Sequence, residues 1–138
     1  MQTITPYLLY EDAAAAVDWL TRAFGFTERL RYTEDDGTVS HAELEMPGGG
    51  EVMLGQPGED YESPSRSGRV SVYIHVSVPD VDVHFAQAKE AGATIESVPE
   101  DQPYGDRRYN CSDLEGHRWS FAQKMRDVPP SEWGATTA

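Results

Sequence analysis

The sequence predicts an α+β fold in which two β-α-β-β-β modules make up one domain. The first observation behind this is a repeat. The order strand, helix, strand, loop, strand, strand runs through the first half of the chain and again through the second. Matching features keep a constant offset. Thr5 and Tyr73, which precede the two helices, are 68 positions apart; Gly25 and Gly92, which close the helices, are 67 apart, as are Met53 and Ser120 near the ends of the closing strands. The second observation is periodicity: two segments carry apolar residues at helical spacing, and the other ordered segments alternate with period two. The third is size. A chain of 138 residues, 38% hydrophobic with 12 glycines, fits a single domain able to bury a core without disulfides or a structural metal.

Taken in order, Ile4 to Tyr10 reads as a strand with Ile4, Pro6 and Leu8 on one face and Thr5, Tyr7 and Leu9 on the other. Asp12 caps a helix that runs to Phe24, with Val17, Leu20 and Phe24 as its stripe and Gly25 as its stop. In His41 to Met46, Ala42, Leu44 and Met46 oppose His41, Glu43 and Glu45. Pro47-Gly48-Gly49-Gly50 is a turn between strands, since no helix follows it to cradle a phosphate. Val72, Ile74, Val76 and Val78 oppose Tyr73, His75 and Ser77. Asp80 then caps a helix to Ala91 with Val81, Phe85 and Ala88 inward. The last strand, His117 to Gln123, sets Trp119 and Phe121 against Arg118, Ser120 and Ala122. The expected domain covers residues 1–123, with module one at about 3–55, a surface linker at 56–69 and module two at about 70–123. Residues 124–138 form a tail in which Ser131-Glu132-Trp133 makes one helical turn.

Composition excludes several functions. Twenty-four acidic against 11 basic residues give a net charge of −13 at pH 7. Phosphate-backbone binding needs clustered Lys and Arg, so nucleic acid and anionic lipid are not expected partners. The charge either draws in a cationic small molecule or only keeps the chain soluble. One cysteine, Cys111, rules out an internal disulfide and a Cys-rich zinc site; it reads as buried and unreactive. The opening Met1-Gln2-Thr3-Ile4-Thr5-Pro6 shows no signal peptide, and no apolar run is long enough to span a membrane, so the expected location is the cytoplasm.

The faces turned away from the helices set the functional expectation. A water-facing sheet should carry Lys, Glu and Thr. Here Tyr7, Leu9, His41, Glu43, Tyr73 and His75 mix aromatic and polar groups, either as the wall of a half-buried cavity or as a mixed surface. His84 sits near an apolar helix stripe as a structural group, and His117 lies in a turn facing solvent. In Gly105-Asp106-Arg107-Arg108, either Arg108 points into the cavity or Asp106 and an arginine form a structural ion pair. His41, Glu43 and His75 could together hold zinc or iron, but a one-residue shift of register would turn any of them away. There is no nucleophile elbow and no dinucleotide fingerprint.

Thr5-Pro6-Tyr7-Leu8 before an Ala-rich helix, Ala23-Phe24-Gly25-Phe26 after it and His41-Ala42-Glu43-Leu44 resemble the first module of the vicinal oxygen chelate superfamily, glyoxalase/bleomycin resistance branch. Val78-Pro79-Asp80-Val81-Asp82, Ala91-Gly92-Ala93, Tyr104-Gly105-Asp106-Arg107 and Asp113-Leu114-Glu115-Gly116-His117-Arg118-Trp119 resemble the second. The resemblance spans residues 3 to 123 and implies a curved mixed sheet around a cavity, often completed in a homodimer. Metal enzymes of that superfamily place His, Gln or Glu at four points, which here are Thr5, Met53, Tyr73 and Ser120. None is a good divalent-metal ligand. The expectation is therefore a protein with no cofactor and no catalytic residue. It sequesters a partly aromatic or cationic antibiotic of bleomycin, mitomycin or enediyne type, with Tyr7, Leu9, Tyr32, His41, Glu43, Met53, Tyr73, His75, Tyr104, Arg108 and Ser120 as ligand-binding residues. The competing expectations are an enzyme of the same fold, a glyoxalase-like lyase or isomerase or a dioxygenase, and a housekeeping protein of unknown ligand. Any of these chemistries is compatible with the fold alone.

Overall fold

In the computed structural model, which describes residues 2–138, eight strands form two four-stranded mixed sheets. The first sheet contains β1 (Tyr7–Leu9), β2 (Thr27–Thr33), β3 (Val39–Glu45) and β4 (Glu51–Gly55) in the order β1-β4-β3-β2. The second contains β5 (Tyr73–Ser77), β6 (Thr94–Asp101), β7 (Asp106–Ser112) and β8 (Arg118–Lys124) in the order β5-β8-β7-β6. The two orders are the same topology. In each sheet the first strand pairs parallel with the last and every other pair is antiparallel.

Helix α1 (Ala13–Phe24) follows β1. Its N-cap Asp12 accepts a hydrogen bond from the Ala15 amide at 3.0 Å, and Gly25 ends it at φ 72°, a conformation that a Cβ would oppose. A short helix, α2 (Pro64–Ser67), lies in the connection between the sheets, and α3 (Val81–Glu90) follows β5, capped by Asp80 on the Val83 amide at 3.1 Å. Each sheet carries its own helix, and α1 and α3 pack against each other. The core they enclose joins the two modules. Phe24 from α1 stands edge-on to Trp119 and Phe121 of β8, with ring centroids 5.3 and 4.7 Å away.

Several elements differ from the sequence expectation for physical reasons. The first strand is Tyr7–Leu9 rather than Ile4 to Tyr10, because its only partner is the five-residue β4; the flanking bonds Met53 N–H to Pro6 carbonyl and Tyr10 N–H to Gly55 carbonyl finish the ladder. β2 and β6 give no clear alternation in sequence for different reasons: β2 has no buried face, and the half-buried face of β6 carries Ile95, Ser97 and Pro99 while Val98 faces out. β2 is exposed at every residue, and β6 contains Pro99, as edge strands tolerate.

The connection at 56–69 is exposed over most of its length and is tied down by hydrogen bonds. The Ser65 amide donates to the Glu115 carbonyl at 2.9 Å, and the Ser63 amide donates to Glu11 Oε2 at 2.9 Å, which buries Ser63. Hydrogen bonds from Ser63, and then from Arg66, hold the Glu11 carboxyl down at about 2. His117 also departs from expectation. Its Nε2 donates to the Leu9 carbonyl at 2.7 Å and its ring lies edge-on to Tyr10 at 4.7 Å, so it ties module two to module one. The turn in the tail is a 3₁₀ turn at Pro130–Trp133.

The stretch Asp113 to Trp119 works as a clamp between the modules. Asp113 Oδ2 accepts from the Tyr10 hydroxyl at 2.6 Å and from Trp119 Nε1 at 3.0 Å, while Oδ1 accepts the Glu115 and His117 amides. The carboxylate of Glu115 accepts the amides of Glu11 and Asp12 at 2.6 and 3.0 Å, just ahead of α1. Burial raises the Glu115 carboxyl and drives the Tyr10 phenol well above its ordinary range, the latter helped by the adjacent Asp113.

Candidate functional site

Alternation decides which residues can serve a ligand. Leu8, Ala42, Leu44, Val52 and Leu54 point to the helices and are buried, so Tyr7, Leu9, His41, Glu43 and Met53 must occupy the opposite face of the first sheet. Cross-strand register makes two rows of them. Tyr7, Met53 and Glu43 form one row across β1, β4 and β3, and Leu9, Gly55 and His41 form the next, with Tyr32 of β2 opposite His41. Tyr7 reaches diagonally from its own row to the next. Its hydroxyl lies 2.8 Å from His41 Nδ1, and His41 Nε2 lies 2.9 Å from Glu43 Oε2.

Gly55 makes that reach possible. A Cβ there would sit 2.7 Å from Tyr7 Cε1 and 3.1 Å from its hydroxyl, so the ring lies where a side chain would otherwise be. The tautomer of His41 follows from its partners. An ionised carboxylate can only accept, so Nε2 donates to Glu43, and in the neutral ring this assigns Nδ1 as the acceptor of the Tyr7 hydroxyl.

The second sheet repeats the rows with other chemistry. His75, Ser120 and Asn110 form a row across β5, β8 and β7, and Arg108 pairs with Ala122 in the next. His75 Nδ1 lies 3.1 Å from Ser120 Oγ, and Ser120 is fully buried. Arg108 turns into this face. Its guanidinium carbon sits 5.6 Å from the centre of the Tyr73 ring, and it donates to the hydroxyls of Tyr104 at 3.2 Å and Tyr73 at 3.4 Å and to Asn110 Oδ1 at 3.3 Å. The structural ion pairs fall to its neighbour instead, with Arg107 bonded to Asp82 and Asp101. A small cleft of about 100 Å³ is lined by Tyr73, Glu96, Arg108, Asn110, Arg118 and Trp119. A larger depression of about 350 Å³, with Glu11, Asp36, Glu59 and Tyr61 in its wall, includes none of the expected site residues.

The expected ligand residues therefore come together as two groups on two sheets, not as one wall within a chain. Tyr7, Leu9, Tyr32, His41, Glu43 and Met53 share one face, and Tyr73, His75, Tyr104, Arg108 and Ser120 cluster on the other; no strand pairing joins the sheets. Three further residues were not singled out from sequence. Asn110 and Gly55 stand 67 positions from Glu43 and Ala122 respectively, so the repeat itself could have flagged them. Trp133, whose ring meets Tyr104 at 5.6 Å, lies outside the repeat and carried no such signal.

The donor set at the superfamily's metal points does not fit a divalent ion. Thr5 lies just ahead of β1 and Met53 on the first face, Tyr73 is engaged with Arg108 and Ser120 with His75, so the four offer hydroxyls and a thioether. His41 and Glu43 lie on one sheet and His75 on the other, and among the described residues no cluster of three His, Cys, Asp or Glu side chains could hold a metal. Cys111 is buried, with its thiol pushed up to about 12 by that burial, and supplies no nucleophile. Among the described residues no helix is long and apolar enough to cross a membrane.

Comparison with known proteins gives this geometry relatives. Residues 3–121 match the family model for the Glyoxalase/Bleomycin resistance protein/Dioxygenase superfamily. An uncharacterized protein of Mycobacterium bovis is 38% identical over 134 residues, covering 94% of this chain and 88% of that protein. Among solved structures, TioX from Micromonospora sp. ML1 shares 41% identity at a TM-score of 0.73, over 90% of this chain and 99% of that one. A superfamily member from Sphaerobacter thermophilus, 23% identical at a TM-score of 0.68 over 89% of this chain and 98% of that one, shares the fold.

Proposed function

The chain belongs to the Glyoxalase/Bleomycin resistance protein/Dioxygenase superfamily, and on that premise we propose that it is a metal-free binding protein that sequesters a partly aromatic natural product or antibiotic. The observation that carries the reading is the make-up of the two helix-free faces. Each sheet turns outward a set of rings and polar groups, with Tyr7 49%, Tyr32 61% and Tyr73 52% exposed, where a plain surface sheet would carry Lys, Glu and Thr. The substitution of all four metal points supports binding over the lyase, isomerase and dioxygenase chemistries of the fold.

Because the two faces lie on separate sheets, the proposal includes a cytoplasmic homodimer in which module one of one chain faces module two of the other, closing a cavity between the Tyr7–His41–Glu43 face and the Arg108 cluster. Stacking of a planar ligand on Tyr73 would add about 0.5–1.5 kcal/mol beyond the area it buries. The acidic net charge favours a cationic ligand of bleomycin type; the tyrosines favour a flat quinone of mitomycin type.

Calorimetric titration with a bleomycin-type glycopeptide, a mitomycin-type quinone and an enediyne tests the reading. At least one should bind at micromolar concentration, and Tyr73→Ala should weaken it by about 1–3 kcal/mol, roughly 5- to 150-fold. Failure of all three to bind below millimolar concentration overturns sequestration. About one zinc, iron, nickel or manganese per purified chain, lost in Glu43→Ala or His75→Ala, would restore the enzyme reading.

A further inference from the structure

We propose that Tyr7, His41 and Glu43 form a proton relay that selects ligands bearing an acidic hydroxyl, a phenol or an enol, and holds them as the anion. This deepens the small-molecule-binding reading and rests on it, by naming the functional group that the first module's face receives.

The geometry is a directed chain. Glu43 accepts from His41 Nε2 at 2.9 Å, which leaves Nδ1 to accept from the Tyr7 hydroxyl at 2.8 Å. The Tyr7 oxygen has then spent its hydrogen inward and keeps its lone pairs for the open face, where the side chain is half exposed. Hydrogen bonds in such a chain polarise one another, so this oxygen accepts better than an isolated phenol.

A ligand hydroxyl that donates to the Tyr7 oxygen can therefore transfer its proton without leaving an isolated charge. The ligand O–H bond breaks and its electron pair stays on the ligand oxygen. A new O–H bond forms at Tyr7 while the old Tyr7 hydrogen crosses to His41 Nδ1. The imidazolium so formed sits between Tyr7 and the Glu43 carboxylate, and Tyr7 now donates to the ligand anion. The proton stays inside the complex, so the −13 chain gains no further negative charge by taking up the anion. The three heavy atoms and two protons that change bonds need no oxidant, reductant or metal.

Two observations set this apart from a chance surface contact. Gly55 leaves the ring its path, since any side chain there would meet Tyr7 within 2.7 Å. The matching positions of the second module, His75, Ala122, Arg108 and Asn110, carry no such chain although the backbone pairing is the same, so the relay is particular to these residues and not a by-product of the topology.

The test uses 4-nitrophenol, whose anion is coloured, at a pH where the free probe is mostly neutral, with 4-nitroanisole as the isosteric partner that has no proton to give. The wild-type protein should develop the anion band on binding, and calorimetry in two buffers of different ionisation enthalpy should show no net proton release. The anion band per bound probe should fall at least tenfold in Tyr7→Phe and in His41→Gln; Glu43→Gln reads the same chain if either variant fails to fold by circular dichroism. Binding of 4-nitrophenol in its neutral form, or an anion band that persists in Tyr7→Phe and His41→Gln, overturns the relay. If 4-nitroanisole binds and 4-nitrophenol stays neutral, the relay falls and the binding reading stands; if neither probe binds, the relay falls with no support left for an aromatic site on this face.

Discussion

On the first sheet, β1 sends Tyr7 over a glycine to meet His41 and Glu43; on the second, the matching strand sends His75 to a buried serine, and the ground that Tyr7 crosses is held by Ala122. The helix-facing sides differ as well. Ala42, Leu44, Val52 and Leu54 of the first sheet stand where the second carries Tyr109, Cys111, Trp119 and Phe121, each 67 positions later. The same backbone thus supports a light aliphatic floor with an acid–base chain above it in one module, and an aromatic floor with an arginine held among tyrosines in the other. The lesson is a division of labour. The aromatic floor of module two is what Phe24, at the end of module one's helix, packs on, and the outer faces are free to diverge because they bear little of that load.

The largest effect should come from breaking the docking. Phe24 is fully buried and meets Trp19, Phe26, Trp119 and Phe121 with ring centroids between 4.7 and 5.6 Å. Phe24→Ala should cost about 3–5 kcal/mol, the range for a buried aromatic truncated in a close-packed core. Urea unfolding followed by tryptophan fluorescence checks it. If the rings couple the modules, the loss will come with a split or broadened transition. A cost under about 1 kcal/mol would shift the weight of the coupling to the clamp built around Asp113 and Glu115.

That clamp marks the boundary of what the sequence could tell. The two helices, their Asp caps and the inward face of every alternating strand were readable because period, cap chemistry and glycine stops are local. β2 was not, because it is exposed along its whole length and has no buried face to impose alternation; β6 was not, because its half-buried set Ile95, Ser97 and Pro99 holds one aliphatic residue while Val98 faces out. On the site, alternation placed Tyr7, His41, Glu43, Tyr73 and His75 on the outward faces from sequence alone. It could not tell that His41 bonds Tyr7, because the bond runs diagonally across β4 and depends on the missing side chain of Gly55. Nor could it tell that His117 would bond the Leu9 carbonyl, since 108 positions separate the two.

A smaller effect should follow from pH, through the one histidine that joins the modules from inside. His84 on α3 is buried, with Nε2 donating to the Phe24 carbonyl at 3.1 Å and Nδ1 accepting from the Tyr109 hydroxyl at 2.6 Å. Burial lowers its affinity for a proton below the ordinary 6.5, and the bond to Phe24 offsets only part of that; burial also pushes the Tyr109 phenol up, so its hydroxyl keeps its hydrogen. Below 6.5 the unfolded chain binds a proton at this position that the folded chain refuses. Stability is therefore fully present above 6.5 and declines as pH falls from there toward the depressed folded value, by at most about 1.4 kcal/mol per pH unit for one proton. Thermal melts from pH 7.5 to 5 should show this slope, reduced in His84→Gln. An unchanged slope in that variant would place the acid sensitivity elsewhere.

The smallest change in stability should come from the substitution that bears most directly on the comparison, Gly55→Ala. Gly55 does not lie in the left-handed region, so its backbone accepts alanine, and a strand residue gains about 0.5–1 kcal/mol from the lost freedom of glycine in the unfolded chain. Against this, the new methyl group would stand 2.7 Å from Tyr7 Cε1 and 3.1 Å from its hydroxyl. Those atoms are the far end of a half-exposed side chain, so the ring can swing outward, at the loss of one hydrogen bond to His41 of about 0.5–1.5 kcal/mol. The two terms nearly cancel, and the melting temperature should move by less than about 1 kcal/mol implies. The imidazole of His41 should respond far more. With its donor gone, Nδ1 faces water, and nitrogen-15 chemical shifts of the labelled ring should lose the signature of a hydrogen-bonded Nδ1 while Nε2 keeps its bond to Glu43. The first module's face would then resemble the second's, with a ring and a histidine side by side and no link between them. If the shifts are the same in Gly55→Ala as in the wild type, the glycine is incidental and the contrast between the modules lies in the side chains of Tyr7 and His75 themselves.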